Sequence, residues 1–220
     1  MGKITDIKQQ KKNLNRLSVD VDDSFAFGIS AQLVFEKNLK ISQEISKKEI
    51  EDLIFQDQTE RLLNKSLRFL SFRPRSEKEL RDHLLRKGRL KEVKSDGEKE
   101  QYEKSIEMVV NKLKKIKQLD DQEFTRWWVE QRNKFKPSGK NLLRAELLSK
   151  GINKETVNDV IESNSEDQIQ IALLAARKKM KLYTKLPALE IKTKLNQFLA
   201  RRGFDWGTIK KVVDSLVNKE

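Results

Sequence analysis

Cysteine is absent from the 220 residues. That excludes disulfides, thiolate nucleophiles and cysteine-based zinc sites. A single histidine, His83, leaves no histidine metal cluster and argues against a Ser-His-Asp triad. No apolar run approaches the ~18 residues that a membrane span needs. The first residues, Met1-Gly2-Lys3-Ile4-Thr5-Asp6, carry no apolar signal-peptide core. Three prolines and eight glycines are scattered, with no cluster that reads as a flexible linker. These absences lead us to expect a soluble, reducing-compartment, non-membrane protein without resident metal or cofactor.

What is abundant is charge, and it is mostly positive. Lys and Arg number 47 against 34 Asp and Glu, a formal net charge of +13. Hydrophobic residues still make up 36%, too many for wholesale disorder. Residues 1–60 hold 9 basic and 11 acidic residues, whereas residues 61–220 hold 38 and 23. The whole surplus therefore lies in the second segment and suggests a polyanionic partner.

The first segment reads as strands followed by helix. Leu17–Val21 and Phe25–Ile29 alternate apolar and polar residues, with Asp22-Asp23-Ser24 as the turn between them. Ile4–Lys11 is a third strand candidate, turning at Asn13-Leu14-Asn15. Ser30 opens a helical stretch carrying Leu33, Val34 and Leu39. Ser46-Lys47-Lys48-Glu49 is a capping box before Ile50, Leu53 and Ile54.

The second segment repeats itself. Leu80–Gly88, Leu143–Gly151 and Leu195–Gly203 share apolar first, fifth and mostly sixth positions, a basic residue and a final glycine. The glycine fits the left-handed position that ends a helix, and the preceding cation suits the helix dipole. A second apolar stripe follows each glycine: Ile106, Val109, Val110 and Leu113; then Val157, Val160 and Ile161; then Ile209, Val212, Val213 and Leu216. A further stripe precedes each signature, on Leu62 to Leu70, on Phe124 to Trp128, and on Ile171 to Ala175. Arg73-Pro74 and Lys136-Pro137 break the chain at matching offsets. Ser76 with Glu79, Ser165 with Gln168, and Asp120 with Glu123 are helix-start signals. The charged insertion of residues 89–104 reads as an exposed loop. The expected fold is mainly α: three tandem three-helix repeats in an elongated, curved array, after a small β-hairpin or meander plus helix module. The expected boundaries are 1–58, 59–117, 118–164 and 165–220.

Several of these stretches resemble the RecX family, bacterial regulators of the RecA recombinase, in its longer Gram-positive-type form. The resemblance is carried by Ser66-Leu67-Arg68-Phe69-Leu70, Arg75-Ser76-Glu77-Lys78-Glu79-Leu80 and Leu84-Leu85-Arg86-Lys87-Gly88. Leu119 to Val129 and Leu147 to Ile152 continue it in the family's order, and Phe25-Ala26-Phe27-Gly28 resembles the family's N-terminal extension. The insertion at 89–104 and Ala200, where the other repeats have leucine, depart from the pattern. The resemblance implies a cytoplasmic, non-catalytic protein that docks in the groove of the RecA–DNA filament, and a monomer is expected. It further implies restraint of filament extension, ATP hydrolysis and strand exchange in recombination, DNA repair and the SOS response. Single- and double-stranded DNA would be met through or beside RecA.

Candidate contact residues are Arg68, Arg73, Arg75, Arg81, Lys87, Arg126, Trp127, Arg132, Lys140, Arg144, Lys150, Arg201 and Arg202. Lys87, Lys150 and Arg202 occupy one shared repeat position, and helix-end solvation explains them as well as a partner does. Arg81 and Arg144 share another position and favour a partner role. Adjacent helix positions point about 100° apart, so of the Trp127–Trp128 pair one faces the core. Trp128, four residues after Phe124, is the core candidate, and Trp127 is left for a partner. Trp206 is expected to pack near a helix start, and His83 to be a partly exposed surface residue. Asp120 and Asp121 read as caps rather than catalytic carboxylates. Ser138-Gly139-Lys140-Asn141 lacks the earlier glycine and the Ser or Thr of a phosphate loop. The competing function is a direct DNA-binding protein or transcriptional regulator acting without RecA. The spread of charge over the repeats, rather than on one recognition helix, argues against it. A nuclease lacks a metal-ligand constellation.

Overall fold

The computed structural model describes residues 1–89, 95–163, 167–183 and 186–217; the side chains of residues 87–89 are not among those described. The chain divides into two compact units, Met1–Phe72 with Arg81–Ile116, and Arg73–Leu80 with Lys117–Glu220.

In the first unit, β1 (Gly2–Gln10), β2 (Asn13–Val21), β3 (Ser24–Ser30) and β4 (Glu44–Ile45) form an antiparallel sheet of order β3-β2-β1-β4. Asp22 and Asp23 both take positive φ (48° and 62°), which suits a two-residue hairpin turn and the twist of its strands. The β1–β2 turn falls at Lys11-Lys12, earlier than expected, and Asn13 already belongs to β2. β4, only two residues long, has no periodicity to reveal it and is fixed by pairing Gly2 with Ile45. Inward-facing Ile4, Val19, Phe27 and Ile29 bury their side chains with Leu33 of α1 (Ala31–Glu36) and Leu53 of α2 (Lys47–Leu70). Ser30 caps α1 as expected. The helix stops before Leu39, however, because Asn38 turns left-handed at φ 50°. Leu39 nonetheless packs against the sheet core.

The Ser46 capping box is formed in full: Glu49 N donates to Ser46 Oγ, and Ser46 N donates to Glu49 at 2.7 Å. From there α2 runs unbroken through residue 58 to Leu70. No glycine or proline interrupts those residues. Asp57 ties sheet to helix. It takes Arg16 through both guanidinium nitrogens (3.1 and 2.8 Å) and Ser30 N (2.8 Å), while Arg16 also donates to Gly28 O. The pair is nearly buried and satisfies backbone groups of β3 as well as each other.

α4 (Asp96–Lys115) packs on α2 and buries Tyr102, Ile106, Val109, Val110 and Leu113. Its length corrects the loop expected at 89–104, since residues 96–104 are helical. Ser95 accepts from Glu98 N as the cap, and buried Tyr102 donates to Leu84 O at 3.0 Å. Residues 90–94 of that insertion lie outside the described residues. α3 (Glu77–Arg89) also runs through Gly88, so this glycine does not end the helix. His83 is partly exposed, its ring stacked on Phe69 at 3.9 Å.

In the second unit, α5 (Asp121–Phe135), α6 (Lys140–Ser149) and α7 (Lys154–Ser163) share one core. α8 (Gln168–Met180), α9 (Ala188–Arg201) and α10 (Trp206–Val217) share the next. Asp120 caps α5 by accepting from Gln122 and Glu123 N. Asp121 accepts from Glu77 N at the start of α3. Ser76 accepts from Glu79 N, but the Glu79 carboxylate turns elsewhere. Ser165 lies outside the described residues, and Asp167 caps α8. Of the signature positions, the first and fifth are core: Leu80, Leu84, Leu143, Leu147, Leu195 and Leu199 are all buried. The sixth is not, since Leu148 and Ala200 are exposed. The alanine in the third repeat therefore costs no core packing.

Gly151 and Gly203 do end their helices, at φ 83° and 78°. They also let a neighbouring repeat come close. A Cβ on Gly203 would lie 2.3 Å from Leu142 N, and one on Gly139 would lie 2.3 Å from Gly203 O. Gly139 N donates to Arg202 O (2.8 Å), and the equivalent residue of the preceding repeat, Ser76, donates through Oγ to Lys150 O (2.8 Å). The starts of the first two signature helices thus each rest on the glycine-ended tail of the next one. The sequence Ser138–Asn141 is part of this joint and not a phosphate loop.

The candidate site: a clasp of cations, carboxylates and indoles

The second unit brings many of the sequence-predicted cations together. Arg73 grips Glu79 through both terminal nitrogens (3.0 and 3.2 Å), and Lys150 Nζ donates to the same carboxylate at 2.6 Å. Burial pushes the Glu79 carboxyl up, but the hydrogen bonds and charges of Arg73 and Lys150 outweigh it and hold it below the ordinary glutamate range. Lys150 Nζ also sits 4.2 Å from the centre of the Trp128 ring, and the Arg132 guanidinium 4.6 Å from it. Glu146 closes the arrangement, accepting from Trp128 Nε1 (2.9 Å) and Arg132 Nε (2.8 Å) on one oxygen.

Trp128 is therefore not the core residue of the pair. Both indoles are half-buried against the second repeat's core, and Val129 is buried instead. The indole N–H needs an acceptor, and Glu146 supplies it at the core's edge. Trp127 has the Arg73 guanidinium over its ring at 5.6 Å.

Arg202, at the position equivalent to Lys150, donates to Pro137 O (3.3 Å) and lies over Phe198 at 5.1 Å. Burial lowers its pKa, the charge of Arg132 adds to that, and Glu146 opposes both. Arg75 is lowered in the same sense by burial and then by Arg73. Lys140 and Arg144 share Glu162, the former at 3.2 Å. In the first unit, Arg81 pairs with Glu107 (2.7 Å), Arg68 is exposed, and the Lys87 side chain lies outside the described residues. Arg126 and Arg201 are exposed and stand apart from the clasp. At the shared cationic position, Lys150 and Arg202 both lie at joints between helices.

The sequence reading did not single out Glu146 and Glu162 and took Glu79 only as a helix-start signal; these three carboxylates hold the cations. The charge is also not spread evenly over the repeats. Residues 59–117 carry 18 basic and 10 acidic side chains, residues 118–164 carry 8 and 8, and residues 165–220 carry 12 and 6. The second repeat is neutral overall. In the third, Lys192–Asp214 (3.0 Å) is the one ion pair among the described residues, although Lys178, Lys194, Lys210 and Lys211 are all exposed. Counting by repeat would have found this surface.

Among the described residues, no group of three or more His, Cys, Asp or Glu side chains could hold a metal ion. No helix there is long and apolar enough to cross a membrane.

Four family models match along the chain. They are the regulatory protein RecX N-terminal domain (residues 2–46) and the first, second and third RecX three-helix domains (63–92, 120–161 and 166–213). The regulatory protein RecX of Bacillus subtilis (strain 168) is 33% identical over 97% of this chain and 76% of the relative. That of Clostridioides difficile (strain 630) is 32% identical over 99% of this chain and 97% of the relative. A crystal structure of regulatory protein RecX superposes with a TM-score of 0.68 at 22% identity, covering 97% of this chain and all of that one. A RecX structure from Lactobacillus salivarius gives 0.57 at 22% identity, covering 73% and 97%. Both likenesses show a shared fold over the stretches they cover. These relatives are named as regulatory proteins and not as enzymes. With the N-terminal domain and the three helical domains in order along it, the chain belongs to the RecX family.

Proposed function

We propose that the chain regulates RecA by binding the RecA–DNA filament, restraining filament extension, ATP hydrolysis and strand exchange without catalysis of its own. The carrying observation is the ordered set of RecX domains over most of the chain. The exposed cations of the third domain give that reading a physical means. They can meet acidic protein surface or phosphate without first breaking an internal ion pair. The clasp around Trp128 serves a different purpose in this scheme. It ties the start of the first signature helix, through Arg73 and Glu79, to Lys150 inside the second unit. Partners are RecA and, beside it, single- or double-stranded DNA, in the cytoplasm, with the chain acting as a monomer.

The test is ATP hydrolysis by RecA on single-stranded DNA as the chain is added. Hydrolysis falls in a dose-dependent way if the proposal holds. Unchanged hydrolysis at saturating chain, with RecA binding verified separately, contradicts it. A second reading, direct DNA binding without RecA, is favoured by the 12-to-6 excess of basic residues in the third domain. Binding to a defined duplex without RecA supports that alternative.

A further inference from the structure

Trp206 is unusual among the tryptophans because it is 66% exposed. It opens α10, whose next stripe residues, Ile209, Val212 and Val213, are buried. The indole could have joined them but stands beside a cleft between α9 and α10. The cleft is lined by Lys192 and Asn196 on α9 and by Trp206, Lys210, Val213 and Asp214 on α10. Its volume is about 260 Å³. That is below the ~300–1,000 Å³ of a small-molecule site, and it suits one flat group of a longer ligand.

Helical spacing explains the layout. Lys192 and Asn196 are one turn apart, as are Trp206 and Lys210, so each helix offers two polar or aromatic groups to the same cleft. Lys192 is held by Asp214 at 3.0 Å, which leaves the exposed Lys210 as the rim cation with no ion pair among the described residues. Exposed Lys194 and Lys211 lie on the same two helices, in the domain with twice as many basic as acidic residues. An exposed aromatic face beside unpaired cations is the combination that holds unstacked bases and their phosphates.

We infer that the α9–α10 cleft is a contact site for single-stranded nucleic acid, with Trp206 stacking on one base and Lys210 meeting an adjacent phosphate. Asn196 offers an amide to the base edge. This contact needs no RecA, so it stands or falls separately from the filament proposal.

The test uses the full chain, no RecA, and a fluorescent oligothymidylate read by anisotropy. Trp206→Ala should weaken binding roughly tenfold or more, whereas Trp206→Phe, which keeps a stacking ring, should stay close to wild type. Lys210→Gln should lower the slope of log affinity against log salt by about 0.7, one phosphate contact on a single strand. Circular dichroism checks that each variant is folded. Equal binding by wild type and Trp206→Ala overturns the inference, as does a loss that Trp206→Phe does not restore. So does a Trp206→Ala loss seen only with RecA protein and not with the oligonucleotide, which would assign the cleft to a protein partner.

Discussion

The second and third helical domains share one plan and use their charge in opposite ways. In the second, Arg132, Lys140, Arg144 and Lys150 all lie on carboxylates of this chain, two of them also on an indole face. In the third, Lys194, Lys210 and Lys211 are exposed and have no ion pair among the described residues. Basic composition alone does not mark a binding face. A cation already paired and half-buried must give up its partner before it can meet another anion, whereas an exposed lysine loses mainly its own rotamer freedom. In the proposed scheme the second domain's cations serve its own joints and the third domain's cations face a partner.

That division can be broken most sharply at the joint between the two domains. Gly203→Ala would bring a Cβ against the Leu142 backbone nitrogen, at a φ of 78° that favours glycine. We expect a loss of about 3 kcal/mol in denaturant unfolding. Gly151→Ala has the Lys78 Cβ, not a backbone atom, as its nearest contact at 2.7 Å, and with its left-handed backbone should cost somewhat less, about 2 kcal/mol. Equal costs at both glycines would show that the backbone contact at Leu142 does not matter.

The ion pairs give the next effect. Glu79→Gln strands Arg73 and Lys150 and should cost about 1.5–3 kcal/mol. Asp214→Asn, at the more exposed pair of the third domain, should cost at most about 1 kcal/mol. The Glu79 contribution also depends on pH. Its carboxyl lies lower in the folded chain than in the unfolded one, so its stabilisation is complete above the ordinary glutamate range. It is lost as pH falls through the folded value. The stability gap between wild type and Glu79→Gln should therefore close on acidification, and a gap that widens would contradict the assigned cause. The smallest effect belongs to the third domain's surface: Lys194→Gln and Lys211→Gln should change stability by no more than about 0.5 kcal/mol.

The sequence carried the elements with strong local signals. The Ser46 box, the Asp22-Asp23 turn and the signature leucines stand where their patterns put them. Ser95 with Glu98 is a capping signal too, overlooked because Ser95-Asp96-Gly97 also reads as a turn; Gly97, with open space around it, is tolerated in the first turn. The polar run Gln56 to Thr59 hid the continuity of α2, although nothing in it breaks a helix. What local pattern could not show is long-range pairing. Glu79 and Lys150 meet across 71 positions, and Gly139 meets Gly203 through a close approach that no periodicity encodes. The same holds for the site: thirteen candidates were chosen by charge and position, but which were already paired depended on contacts between distant helices.

The most direct test of the division is lysine-reactive cross-linking of the chain to RecA filaments on single-stranded DNA, with the products mapped by residue. The account predicts cross-links from Lys194, Lys210 and Lys211 and few from Lys140 and Lys150. Dominant cross-links from Lys140 and Lys150, with the third domain silent, would contradict it.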